Sequence, residues 1–164
     1  MAEREALLIV TTGGTIDKVY FDAASEFSVG DSVVADLLRQ AHVEQPYEVV
    51  EVLRKDSLDI TPEDRELVRR TIVARNEHRV IVTHGTDTMT ATAEVLQSIH
   101  DKTIVLTGAL APARFAQSDA TFNVGMAFAA AQTQPPGVYI VMNGQVFEAG
   151  SVRKDRDQNR FVRC

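Results

Sequence analysis

Apolar positions along the chain fall into short blocks. Residues 6–11, 79–83, 103–107 and 138–142 are rich in valine, isoleucine and leucine with little polar alternation, the pattern of buried strands, and 47–53, with three valines, reads as a further strand. Between them the spacing turns helical. Val34, Leu37, Leu38 and Ala41 stand at i, i+3, i+4, i+7, which predicts a helix capped by Asp31 or Ser32. Thr61-Pro62-Glu63-Asp64 opens a second helix, to about residue 76, with a hydroxyl cap, an early proline and acids at the positive end of the dipole. Further helices are expected over 89–99 and 119–132, the last broken by Pro135-Pro136-Gly137. Asn143-Gly144 should turn 138–142 back into 145–148 as a hairpin. Segments 12–30 and 111–118 read as loops, and 150–164 as a charged tail.

Strand and helix alternate five times. This predicts an α/β fold: a flavodoxin-like or Rossmann-like three-layer sandwich with a mostly parallel sheet plus a β-hairpin. The 164 residues suffice for one domain with a real core, and 1–164 is read as one. The net charge of -6 is spread along the chain, so no basic footprint for nucleic acid is present. No apolar run approaches the roughly 20 residues of a membrane span. Met1-Ala2-Glu3-Arg4-Glu5 lacks the opening of a signal peptide. The one cysteine, Cys164, can form no internal disulfide, which fits a cytoplasmic protein.

Three loops follow strands: 12–20, 54–60 and 84–89. All carry hydroxyls, and in a parallel sheet all open on one edge, where ligands bind. Gly13-Gly14 reads as a tight turn, alone or presenting Thr15. Neither a P-loop nor a dinucleotide-binding pattern is present. The Thr15 hydroxyl needs a neighbouring base to act as a nucleophile. Tyr20 could fold back over it or simply pack. Thr86 and Asp87 could cap a helix, or offer backbone N–H groups and a fixed charge for a cationic amine. His84 reads as buried and structural. Asp56-Ser57 reads as a helix entry or as a site for an α-amine and carboxylate, and Lys154 as a solvated tail lysine.

Thr12-Gly13-Gly14-Thr15-Ile16 and His84-Gly85-Thr86-Asp87-Thr88-Met89 resemble the two signature motifs of the bacterial-type L-asparaginase family. Asp56-Ser57-Leu58-Asp59-Ile60-Thr61 is similar to its substrate loop. Leu106-Thr107-Gly108-Ala109-Leu110 and Phe122-Asn123 resemble its next strand and helix. The resemblance covers nearly the whole chain. It implies hydrolysis of L-asparagine to L-aspartate and ammonia, with no metal and no cofactor. Thr15 would attack the side-chain amide and form an acyl intermediate. Thr86, Asp87 and Lys154 would form a second polar cluster. Gly14, Gly85, Asp56 and Ser57 would line the substrate site, Asp87 holding the α-ammonium and Ser57 the α-carboxylate.

Two departures from the family pattern stand out. Longer members carry a second domain, which supplies oligomer contacts and, from a neighbouring subunit, an acidic group near the substrate amine. Many longer members also place their tyrosine a few residues before a Val-Gly pair, where this chain reads Phe27-Ser28-Val29-Gly30. Tyr20 is therefore the expected base. A homodimer or homotetramer is expected, since a second copy could complete the pocket. The alternative readings are a non-catalytic amino-acid-binding module, a subunit of an amidotransferase, or a related amidase.

Overall fold

The computed structural model describes residues 4–21 and 23–164. Its strands, in chain order, are β1 (Leu7–Gly13), β2 (Lys18–Phe21), β3 (Glu26–Val29), β4 (Tyr47–Lys55), β5 (Arg79–Thr83), β6 (Thr103–Thr107), β7 (Gly137–Met142), β8 (Gln145–Glu148), β9 (Val152–Asp155) and β10 (Arg160–Arg163). Its α-helices are α1 (Val34–Gln40), α2 (Pro62–Val73), α3 (Met89–Leu96) and α4 (Ala120–Thr133).

Six strands form the main sheet in the order β4-β1-β5-β6-β7-β8. The first five are parallel, and β8 closes the sheet antiparallel to β7. The parallel order, 2-1-3-4-5 by occurrence, is that of the flavodoxin-like fold. The runs of β1, β5, β6 and β7 are buried because both faces are covered, whereas β4, at the edge of the sheet, has no fully buried residue. Leu8, Val10, Val80, Val82 and Ile104 pack with Val68, Ile72 of α2 and Met89, Ala93, Leu96 of α3. Leu7, Ile9, Ile81 and Val105 pack on the opposite face with Val34, Leu38 of α1 and Val124, Ala127 of α4. The chain crosses from β1 to one side of the sheet and then back to β5 on the other. That reversal opens a crevice at their carboxyl ends.

The Thr61 cap of α2 forms as expected, as a full capping box with Asp64. Three expectations are corrected. Segment 12–30 is not all loop: it holds a 3₁₀ turn and the hairpin β2–β3. The charged tail is the hairpin β9–β10, anchored by buried Val152 and Phe161. The cap position of α1 is Val33, not Asp31 or Ser32; its N–H donates to the Asp17 carboxylate at 3.0 Å, and the Ser32 hydroxyl still accepts from the Val34 N–H at 3.4 Å. Among the described residues no helix is long and apolar enough to cross a membrane.

Candidate active site

The loops after β1, β4 and β5 meet at the crevice. Beyond β1 the chain turns at Gly13 and Gly14, whose φ angles are 100° and 93°, into the 3₁₀ turn Thr15–Asp17. The Gly14 N–H donates to the Lys55 carbonyl at the end of β4 (3.0 Å). A Cβ on Gly14 would collide with the Gly85 backbone, and one on Gly85 would lie 2.6 Å from Ser57 Cβ. Only glycine allows this positive φ and this backbone-to-backbone approach. Gly14, half of what looks like a mere turn, therefore docks one motif on the other, while Gly13 lies against the Lys55 backbone.

Ser57 is buried. Its carbonyl accepts from the Thr88 hydroxyl (2.7 Å) and its hydroxyl accepts from the Thr88 N–H (3.3 Å), which ties the second loop to the third. Asp56 caps the short turn Ser57–Asp59 by accepting from the Leu58 N–H (3.1 Å), and it pairs with Lys18 at 3.0 Å. Burial alone would raise the Asp56 carboxyl. The Leu58 N–H, Lys18 and Lys154 outweigh it and hold the group below its ordinary value. Asp56 is thus ionised and already bonded on both oxygens.

Lys154 reaches the site from β9. Its Nζ donates to Thr86 Oγ1 (2.7 Å) and to Asp87 Oδ1 (2.9 Å), and its side chain is only 13% exposed. Because the ammonium donates to the Thr86 oxygen, that hydroxyl keeps its own proton for another acceptor. The same charge stabilises the oxygen if the proton leaves. The β9–β10 hairpin is held here by the Phe161 N–H, which donates to Asn143 Oδ1 (2.7 Å) in the β7–β8 turn. Thr86 and Asp87 are not caps. Helix α3 starts at Met89, with Thr88 at the cap position and no side-chain cap bond.

His84 lies fully buried behind this cluster. Its Nδ1 is 2.7 Å from the Gly85 carbonyl and its Nε2 2.7 Å from the Thr92 hydroxyl. A carbonyl only accepts, so Nδ1 carries the proton and Nε2 accepts from Thr92. Burial lowers the His84 pKa to about 4. The ring is a neutral prop for the Gly85 peptide, in keeping with a structural histidine.

Thr15 is half-buried at the start of its turn. Tyr20 stands on β2, 47% exposed. It faces Phe27 across the hairpin with ring centroids 5.1 Å apart, outside the hydrogen-bonded group of Lys154, Thr86 and Asp87. The structure thus brings Gly14, Gly85, Ser57, Thr86, Asp87 and Lys154 together at one sheet edge, and puts Tyr20 on a separate ribbon.

Three side chains at the site escape sequence reasoning. Arg156 Nε lies 3.8 Å from the Asp87 oxygen that Lys154 also binds. Asp17 is buried beside the α1 N-terminus. Burial drives its carboxyl up to about 6, against the opposing Val33 N–H and Arg114. Its one sequence signal is an acid two residues beyond Thr15. Arg114 binds main-chain carbonyls, which leave no trace in a sequence.

The family described as Asparaginase, N-terminal matches residues 6–161. A glutaminase-asparaginase of Acinetobacter glutaminasificans is 31% identical over 163 residues, spanning 90% of this chain and 49% of that protein. The thermostable L-asparaginase of Thermococcus kodakarensis superposes with a TM-score of 0.83 at 27% identity, over 96% of this chain and 51% of the other. A shorter match, 39% identical over 69 residues, joins 41% of this chain to 16% of a glutamyl-tRNA(Gln) amidotransferase subunit from Methanococcus vannielii. The chain spans about half the length of the full-length asparaginase relatives it matches. With both signature loops at the crevice and the family match running almost from end to end, this chain belongs to the asparaginase N-terminal family.

Proposed function

We propose that this protein hydrolyses the side-chain amide of L-asparagine to L-aspartate and ammonia. The observation that carries the reading is the docking of the Thr15 turn on the Thr86–Asp87 loop, with Lys154 bonded to both residues of that loop. The Thr15 oxygen attacks the amide carbon while Tyr20 accepts its proton and passes the phenol's own proton to the amide nitrogen. Backbone N–H groups at the loop ends take the developing oxyanion, a contribution worth several kcal/mol. The C–N bond breaks as the amide nitrogen leaves, protonated, as ammonia. Water, placed by the Thr86 hydroxyl, then adds to the acyl carbon and frees Thr15 and aspartate. Lys154 lowers the cost of negative charge on Thr86. Asp87 holds the substrate α-ammonium and Ser57 its α-carboxylate, while Asp56 acts through the turn it caps. Self-association into a homodimer or homotetramer completes the substrate pocket, and the enzyme works in the cytoplasm without metal or cofactor.

The test is ammonia release from L-asparagine, with L-glutamine and D-asparagine in parallel. Release from L-asparagine well above the other two is the expected result. A folded protein that binds asparagine and releases no ammonia would overturn the reading in favour of a binding module or an amidotransferase subunit. The amidotransferase match over 69 residues is what keeps that second reading in view.

A further inference from the structure

Among the described residues the β2–β3 hairpin pairs only with itself, so its position depends on what grips its root. The chain leaves the body at Asp17 and returns at Gly30–Asp31. The Gly30 N–H closes the root by donating to the Asp17 carbonyl (2.9 Å). A second grip comes from far along the chain, in the loop between β6 and α4. There Arg114 spreads its guanidinium across the root: Nη1 donates to the Asp17 carbonyl and Nη2 to the Asp31 carbonyl, each at 2.9 Å. On either side of it, the Ala113 N–H donates to the Ile16 carbonyl (3.1 Å), and the Phe115 ring packs on Phe27 at 5.8 Å. Phe27 in turn packs on Tyr20. Three consecutive residues thus hold the turn that carries Thr15, both ends of the hairpin, and the aromatic face that carries Tyr20.

We infer that Arg114 is a positioning residue for amide hydrolysis, fixing the β2–β3 hairpin so that Tyr20 stays registered with Thr15; this rests on the reading of Tyr20 as the base proposed above. The planar fork is what the geometry requires. Two carbonyls that bracket the hairpin are reached by two N–H groups of one rigid plane, which a lysine ammonium does not offer.

The experiment combines Arg114→Gln and Arg114→Lys with Tyr20→Phe. Hydrogen exchange of the amides in 18–21 and 26–29 is measured beside kcat and KM for L-asparagine. In Arg114→Gln the hairpin amides should exchange about tenfold faster, while those of β1 and β5 keep their protection and report a folded sheet. kcat should fall about tenfold or more. Arg114→Lys should resemble Arg114→Gln. In the Tyr20→Phe background, Arg114→Gln should cost less than about twofold further, because the two changes remove one function. Unchanged hairpin exchange, unchanged kcat, a wild-type-like Arg114→Lys, or losses that multiply with Tyr20→Phe would each overturn the inference. If the unaltered protein releases no ammonia, the proposed activity fails by itself, and the exchange data still decide whether Arg114 holds the hairpin.

Discussion

The two halves of the site are built differently. The loops after β1 and β5 are almost wholly buried, from Thr12 through Gly14 and from His84 through Thr86, and they touch through glycine backbones. The β2–β3 hairpin leaves Tyr20 at 47%, Phe21 at 50% and Phe27 at 48% exposure, and is tied down mainly at its root and by the Lys18–Asp56 pair. The groups that must hold charge in a fixed geometry are set in the rigid edge of a sheet. The group proposed to move a proton rides on an exposed two-stranded ribbon, the kind of segment that opens at lower free energy than a buried core. A lid that must open for substrate is drawn from such segments.

The strongest way to break this comparison is to remove one oxygen from each half. Thr15→Ala should abolish ammonia release by about four orders of magnitude, since no covalent step remains. Its melting temperature should hardly move. Tyr20→Phe should cost about two to three orders of magnitude, the usual worth of a positioned general base. Both are read as kcat/KM on L-asparagine. Full activity in Tyr20→Phe would leave the sheet edge as the whole catalytic apparatus. Full activity in Thr15→Ala would remove the proposed nucleophile.

Next in size is a steric test. Gly85→Ala puts a methyl group 2.6 Å from Ser57 Cβ, in a buried stretch of backbone, and should destabilise the fold by roughly 2–4 kcal/mol as well as impair activity. Phe27→Ala, on the exposed ribbon, should cost about 1 kcal/mol or less. Denaturant midpoints of the two variants give the contrast directly. Equal losses would mean that the hairpin is as integral to the core as the sheet edge.

The parallel strands are legible in the sequence because a strand buried on both faces has to be apolar throughout, as Leu7–Val10 and Val80–Val82 are. The signature loops are legible because glycine is forced where backbones touch. The ribbons are not. In β2 and β3 no residue is fully buried, and in β9 and β10 only Val152 and Phe161 are, so no core face imposes alternation on them. Lys154 is reached by family resemblance alone, since its loop partners lie 68 and 67 residues away. The start of α1 is only half legible: the Ser32 hydroxyl accepts from the Val34 N–H (3.4 Å), but the shorter bond goes from the Val33 N–H to Asp17, 16 residues upstream.

A subtler contrast lies in pH. One buried titratable group stands behind each half, and the two have opposite signs. His84 behind the sheet edge has its pKa lowered from 6.5 to about 4. Between those values the unfolded chain binds a proton that the folded one excludes, so the stability it contributes is present above pH 6.5 and lost as pH falls. Asp17 at the hairpin root has its pKa raised from 3.8 to about 6. There the folded chain keeps a proton that the unfolded one has released, so its contribution is lost as pH rises through 6. From about pH 4 to 6 the two slopes oppose each other. Asp17→Asn should leave the His84 slope uncovered, and its stability relative to wild type should grow from pH 4 to 7 by on the order of 2 kcal/mol. A difference that stays flat across that range would show that Asp17 titrates normally and that the root is wetter than its burial implies.

The smallest expected effect concerns which ring carries the hydroxyl. Tyr20 and Phe27 are register partners on β2 and β3 and share one face of the ribbon. The resemblance drawn from the sequence sets Phe27, three residues before Gly30, where a tyrosine is expected in many longer members. In the otherwise unaltered chain, Phe27→Tyr adds one exposed hydroxyl and should change stability by less than about 0.5 kcal/mol and activity by about twofold or less. In the Tyr20→Phe background the same change puts a phenol back on the same face, one strand over. If the ribbon serves only to hold a proton acceptor near Thr15, that double variant should recover about tenfold of the activity lost by Tyr20→Phe alone, read as kcat with KM unchanged. No recovery would mean that the hairpin fixes the hydroxyl more tightly than its exposed, self-paired build implies, and the contrast between rigid edge and loose ribbon would have to be narrowed to the residues beyond Tyr20.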